Sequence, residues 1–241
     1  MPEGKHTPYY ECLEALQGGG CPICYLGRRN VARYLDSLIY EHVNDPKTRE
    51  RTRTAQGFCR LHAWQLRQHG GALGIAIIYR DVVRDVAVAL RNAEFNGKGR
   101  RSAKDLLLTL GRGETGGANP RLVQSLSATS ECPACSLQHE VERSYITVLL
   151  ENLFDERMGQ AFESSDGLCL PHLRQALGQV SDEQVFQRLV AVETRIFERL
   201  LADLDEMIRL SDYRYQDERL GDVGDAWLHA ISQIAGREGL A

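Results

Sequence analysis

Apolar residues recur along most of the chain at intervals of three and four, the spacing of one helix face, and no segment sustains strand alternation. Thr7-Pro8 reads as an N-cap followed by proline in the first turn. Tyr9, Cys12, Leu13 and Leu16 then mark a short helix, stopped by Gly18-Gly19-Gly20. A second helix opens at Cys21-Pro22, carries Val31, Tyr34, Leu35, Leu38 and Ile39 on its apolar face, and breaks at Asn44-Asp45-Pro46. Lys47 to Ala55 is polar and helix-compatible, with Gly57 as a C-cap. Cys59 to Gln68 reads as a short helix ended by Gly70-Gly71. Leu73, Ile78, Val82, Val86 and Leu90 belong to a long amphipathic helix ending near Asn96-Gly97.

The same plan then returns. Val141, Tyr145, Val148, Leu149 and Leu153 mark a helix after Cys135, Asp155 to Ser165 reads as polar, Cys169 to Leu177 as a short helix, and Val185 through Ile208 as a second long one. The pattern predicts an all-α, internally duplicated chain. Residues 1–97 form the first repeat, 98–130 a linker with one or two helical turns, 131–211 the second repeat, and 212–241 a tail whose helix, from about Asp225 to Gly236, packs on the repeats.

The chemistry follows the repeat. Cys21-Pro22-Ile23-Cys24 is followed by Gly57-Phe58-Cys59-Arg60-Leu61-His62, and Cys132-Pro133-Ala134-Cys135 by Gly167-Leu168-Cys169-Leu170-Pro171-His172. Six of the seven cysteines lie in these clusters. Three thiolates and one imidazole make a closed tetrahedral donor set, so the expected metal ligands are Cys21, Cys24, Cys59 and His62, and Cys132, Cys135, Cys169 and His172. Each pair spans three residues at a helix start, so both side chains face one way, where the positive helix end favours thiolate. Zinc suits the set; the alternative is a pair of [4Fe-4S] clusters for electron transfer or sensing. The sets are expected within each copy, because a loop of roughly 35 residues closes at lower entropic cost than a crossed one, by only about 1–2 kcal/mol. A crossed arrangement joining Cys21 and Cys24 to Cys169 and His172 has identical spacing.

Other candidates carry less. Cys12 lies on an apolar stripe and reads as a core thiol. His42, His69, His139 and His229 have no partner at ligand spacing. Arg28, Arg29, Arg60 and Arg174 are placed to offset the net −1 of a three-thiolate zinc site, or to be solvated helix charges. Lys47, Arg49, Arg51 and Arg53, with Arg100, Arg101 and Lys104, read as solvated rather than nucleic-acid-binding. Glu151, Asp155 and Glu156 have no partnered base, and no catalytic triad, Walker loop or dinucleotide fingerprint is present, so enzymatic activity is not the expectation. The net charge of −4 implies no general attraction to nucleic acid or anionic membrane. The chain shows no secretory signal or membrane-length apolar run, and so many unpaired thiols suit a cytoplasmic protein. The expected role is a structural one, metals fixing a helical scaffold for a partner or small ligand.

The Tyr-rich helix before CPxC, the GFCxxH, the second CPxC with its CxxH, and the ending Asp212-Tyr213-Arg214-Tyr215, Glu218, Gly221, Asp225-Ala226-Trp227 and Ala230 resemble the bacterial domain-of-unknown-function family 6062. The resemblance covers nearly the whole chain and implies no activity.

Overall fold

A computed structural model describes residues 7–94, 119–215 and 219–237. Arg100, Arg101, Lys104 and the rest of the linker before Asn119 lie outside the described residues, as does Glu218. Every regular element among the described residues is helical, so the all-α reading holds. The chain divides into two compact units, residues 1–33 with 137–241, and residues 34–136. Their boundaries differ from those of the two repeats expected from the sequence, 1–97 and 131–211.

The first unit begins with α1 (Thr7–Leu16) and most of α2 (Pro22–Ser37). It takes up the chain again in α7 (Pro133–Glu151), then α8 (Glu156–Ser164), α9 (Leu170–Gln179), α10 (Glu183–Leu210) and α11 (Ala226–Ala235). Prolines at the first position of α2 and α7 preset the helical φ where no N–H partner is needed. One continuous core joins Ile23 and Leu26 of α2, Ile146 and Leu149 of α7, Met158 and Phe162 of α8, and Leu189, Val192 and Ile196 of α10. The segment 155–165, polar by its sequence, is amphipathic: three apolar residues at helical spacing suffice, and Met158 and Phe162 are fully buried. Asp155 accepts the Met158 N–H at 3.2 Å as N-cap of α8 and the Tyr9 hydroxyl at 2.5 Å, tying α1 to α8.

The second unit holds the end of α2, a wide π turn (Leu38–His42), α3 (Pro46–Thr54), α4 (Arg60–Gln68), α5 (Ala72–Arg91) and α6 (Pro120–Ser125). Asp45 caps α3 by accepting the Thr48 N–H at 2.8 Å. The basic face of α3 is answered by acids on α5: Arg49 pairs with Asp81 and Arg53 with Asp85. Arg49 holds the Asp81 carboxyl below its ordinary pKa. Those arginines are therefore engaged with the unit's own carboxylates. The α5 helix stops at Arg91, capped by Asn92, a turn earlier than the sequence pattern ran.

Candidate metal centres

Both GxCxxH turns are built alike. Gly57 and Gly167 have φ of 92° and 72°, a left-handed conformation that costs glycine little. A Cβ there would lie 2.8 Å from the Tyr79 ring and 2.9 Å from Glu193 Oε2 respectively, so no other side chain fits. The turn delivers Cys59 as N-cap of α4 and Cys169 as N-cap of α9, with the histidine three residues on. Cys59 Sγ also accepts the His62 N–H at 3.5 Å.

The structure brings all eight predicted ligands into two clusters, and it corrects their pairing. Cys21 and Cys24 meet Cys169 and His172; Cys59 and His62 meet Cys132 and Cys135. In each cluster the ligand atoms all lie within 4.8 Å of one another. The within-copy sets expected from loop closure are not formed, because a preference of about 1–2 kcal/mol is smaller than burying a single leucine, about 1.5–3 kcal/mol.

In the first cluster His172 Nδ1 stands 3.4 Å from Cys21 Sγ, 3.4 Å from Cys24 Sγ and 3.1 Å from Cys169 Sγ, with 3.6 Å between Cys24 and Cys169. In the second, His62 Nδ1 lies 3.3 Å from Cys59 Sγ, 3.6 Å from Cys132 Sγ and 3.4 Å from Cys135 Sγ, with 3.6 Å from Cys135 to Cys59. Both histidines turn the same nitrogen inward.

The electrostatics of these packed sulfurs suit a cluster that could hold a cation. Burial pushes the Cys21 and Cys135 thiols well above the ordinary range, with neighbouring sulfurs adding to the effect. Contacts from Cys169, Cys21 and His172 hold Cys24 far below it. Burial works against a charged His172, yet its contacts with Cys169, Cys24 and Glu142 raise its pKa to about 11. Three thiolates this close ionise together only with positive charge among them, which a divalent metal supplies.

The clusters differ in their surroundings. Around the first, Glu142 stands 3.4 Å from His172 Nε2, the nitrogen facing away from the sulfurs. Sequence spacing around the cysteines gave no hint of Glu142. The available signal was Gln138 and Glu142 at i and i+4 on the buried face of α7, polar residues in an otherwise apolar stripe. Gly236, at the end of α11, brings the tail against this cluster; a Cβ there would be 3.8 Å from Cys169 Sγ and 3.9 Å from Cys24 Sγ. All four ligands of the first cluster are buried, whereas Cys59 of the second is partly exposed.

The remaining candidates fall elsewhere. Cys12 is fully buried in the core, and burial alone lifts its thiol to about 12. Arg29 pairs with Glu11 at 2.5 Å and Glu14 at 3.5 Å, while Arg28, Arg60 and Arg174 are exposed. His42, His69, His139 and His229 lie outside both clusters; His69 sits 3.6 Å from Asp36, and His229 lines a cavity of about 590 Å³ beside α10 and α11.

No helix among the described residues is long and apolar enough to cross a membrane. Residues 8–239 match a family model described as a family of unknown function, DUF6062. The chain is similar to an "Uncharacterized 23.9 kDa protein in xynA 3'region" of Caldicellulosiruptor sp. (strain Rt8B.4), at 25% identity over 94% of this chain and 100% of that protein. No solved structure matches.

Proposed function

Because the chain belongs to DUF6062, a family of unknown function, its role has to be read from the clusters, and we propose that each is a closed zinc site. The zinc fixes two helix starts on an α-helical scaffold for a protein partner or small ligand. The observation that carries this is the size of the donor sets. Zinc with Zn–S of about 2.3 Å and Zn–N of about 2.0 Å holds tetrahedral ligands roughly 3.5–3.8 Å apart. The contacts of 3.1–3.6 Å within both clusters are close to that spacing. A [4Fe-4S] cube carries each protein ligand on a separate iron and spreads them roughly 6 Å apart, more than the 4.8 Å limit met by every pair here.

Four protein donors leave no open coordination position, which favours a structural over a catalytic role. All seven cysteines are free, consistent with a reducing compartment such as the cytoplasm. The test is metal analysis and X-ray absorption on protein purified without air. The expected result is two zinc ions per chain, each with three sulfur neighbours and one nitrogen. Brown protein carrying acid-labile sulfide overturns the zinc reading in favour of iron–sulfur clusters.

A further inference from the structure

We propose that Glu142 is a positioning residue for the Cys21, Cys24, Cys169, His172 site, and that it makes this the site that keeps its metal longer. The inference rests on reading the clusters as metal sites. A neutral histidine that ligates through Nδ1 must carry its proton on Nε2. His172 turns Nδ1 to the three sulfurs and Nε2 to Glu142 Oε1. The carboxylate accepts the Nε2–H, selects the ligating tautomer, fixes the plane of the ring and strengthens the imidazole as a donor.

Glu142 is held for this task. The Gln138 side chain donates to the same Oε1 at 2.8 Å. Gly27 of α2 leaves the room, since a Cβ there would come within 3.3 Å of Oε1. His172 is 4% exposed and Glu142 3%, so water does not compete for the contact. The sequence breaks the equivalence of the two sites at this position. Glu142 lies seven residues after Cys135, and the residue seven after Cys24 is Val31. The partly exposed Cys59 adds to the contrast, because a ligand within reach of solvent is more open to a competing chelator.

The test uses the full chain in two backgrounds. Cys59→Ser with Cys135→Ser leaves the first site alone, and Cys24→Ser with Cys169→Ser leaves the second. Zinc loss to a chromophoric chelator is followed in each, with and without Glu142→Gln. Zinc should leave the second site faster than the first, and Glu142→Gln should speed loss from the first by about 10–100-fold without changing the second. Ring ¹⁵N spectra supply a readout that a purely structural role would not move: the His172 Nε2–H resonance should shift upfield in the variant. Should Glu142→Gln fail to fold, Gly27→Ala crowds the same carboxylate more gently and should accelerate loss in the same direction. Unchanged release from the first site, equal acceleration in both, or an unshifted Nε2–H overturns the proposal. Cobalt(II) titration of the wild type separates the two readings. Absence of thiolate-to-cobalt absorption overturns the metal reading and the inference with it, whereas two bound equivalents with unaltered release overturn only the role of Glu142.

Discussion

Replacing Cys21 and Cys169 together by serine should leave one metal per chain, and replacing Cys21 and Cys59 should leave none held tightly. The first pair belongs to a single crossed set, so the Cys59, His62, Cys132, Cys135 site is untouched; the second pair takes one thiolate from each. Ligation within each sequence copy predicts the reverse. Chain entropy favours that reverse arrangement. The crossed sets close spans of 145 and 70 residues, and relative to a span of roughly 35 this costs about 1.3 and about 0.6 kcal/mol by the logarithmic rule. Against it stand Ile23 and Leu26, which flank Cys24, and Leu168, next to Cys169, all fully buried in the crossed arrangement. At about 1.5–3 kcal/mol each, these three outweigh the entropy by several kcal/mol, so the within-copy form should be under about one per cent of folded protein. Native mass spectrometry after exchange into volatile buffer counts the ions directly. One ion in Cys21→Ser/Cys59→Ser and none in Cys21→Ser/Cys169→Ser would refute the pairing and the packing argument behind it.

Complete metal removal should unfold the 34–136 unit before the rest, because, among the described residues, only Leu35, Leu38 and Leu66 of the twelve largest fully buried side chains lie there; hydrogen exchange should show that unit deprotecting first, and uniform deprotection would contradict it. Phe162→Ala should cost about 3–5 kcal/mol in denaturant unfolding of the metal-loaded protein, as a fully buried aromatic leaves a cavity in the first unit; a loss below 1 kcal/mol would show the core collapsing around it. Glu193 is buried and desolvation raises its pKa from 4.5 to about 7, the Leu168 N–H opposing this. A raised acid pKa makes stability greatest below the unfolded value and loses it as pH climbs through the folded one. Glu193→Gln keeps an acceptor for Leu168, so its advantage over wild type should grow by about 1 kcal/mol between pH 6 and pH 8; a pH-independent difference would place the titration elsewhere.

Local features were legible because they are local. Proline after cysteine marks the start of α2 and of α7, the CxxC and CxxH spacings put paired ligands on one face, and a thiol at Cys12 on an apolar stripe reads correctly as core. The α8 helix was harder, since its burial rests on Met158, Ala161 and Phe162 alone amid polar neighbours. Which pair meets which was not legible at all. Spacing is the same for both pairings, and the outcome depends on buried contacts between α2, α7, α9 and α10 that no short stretch encodes. Glu142 was legible only in part: with Gln138 it interrupts an apolar stripe, but the histidine it faces is thirty residues away, and a glutamate on a helix ordinarily signals solvent.

Crossed ligation has a consequence for the order in which the chain is made. Cys24 leaves the ribosome 145 residues ahead of Cys169, a wait of roughly 7–30 s at ordinary synthesis rates. During most of it, Cys21, Cys24, Cys59 and His62 are all present, and together they form a complete tetrahedral set. Zinc available at that stage can close a loop the finished protein does not contain. A chain that had closed that loop would reach the crossed pairing only by handing the metal over, as Cys132 and Cys135 meet Cys59 and His62, and Cys169 and His172 meet Cys21 and Cys24. On the metal-site reading, ligand exchange between segments would then be a step toward the native pairing, beside helix packing.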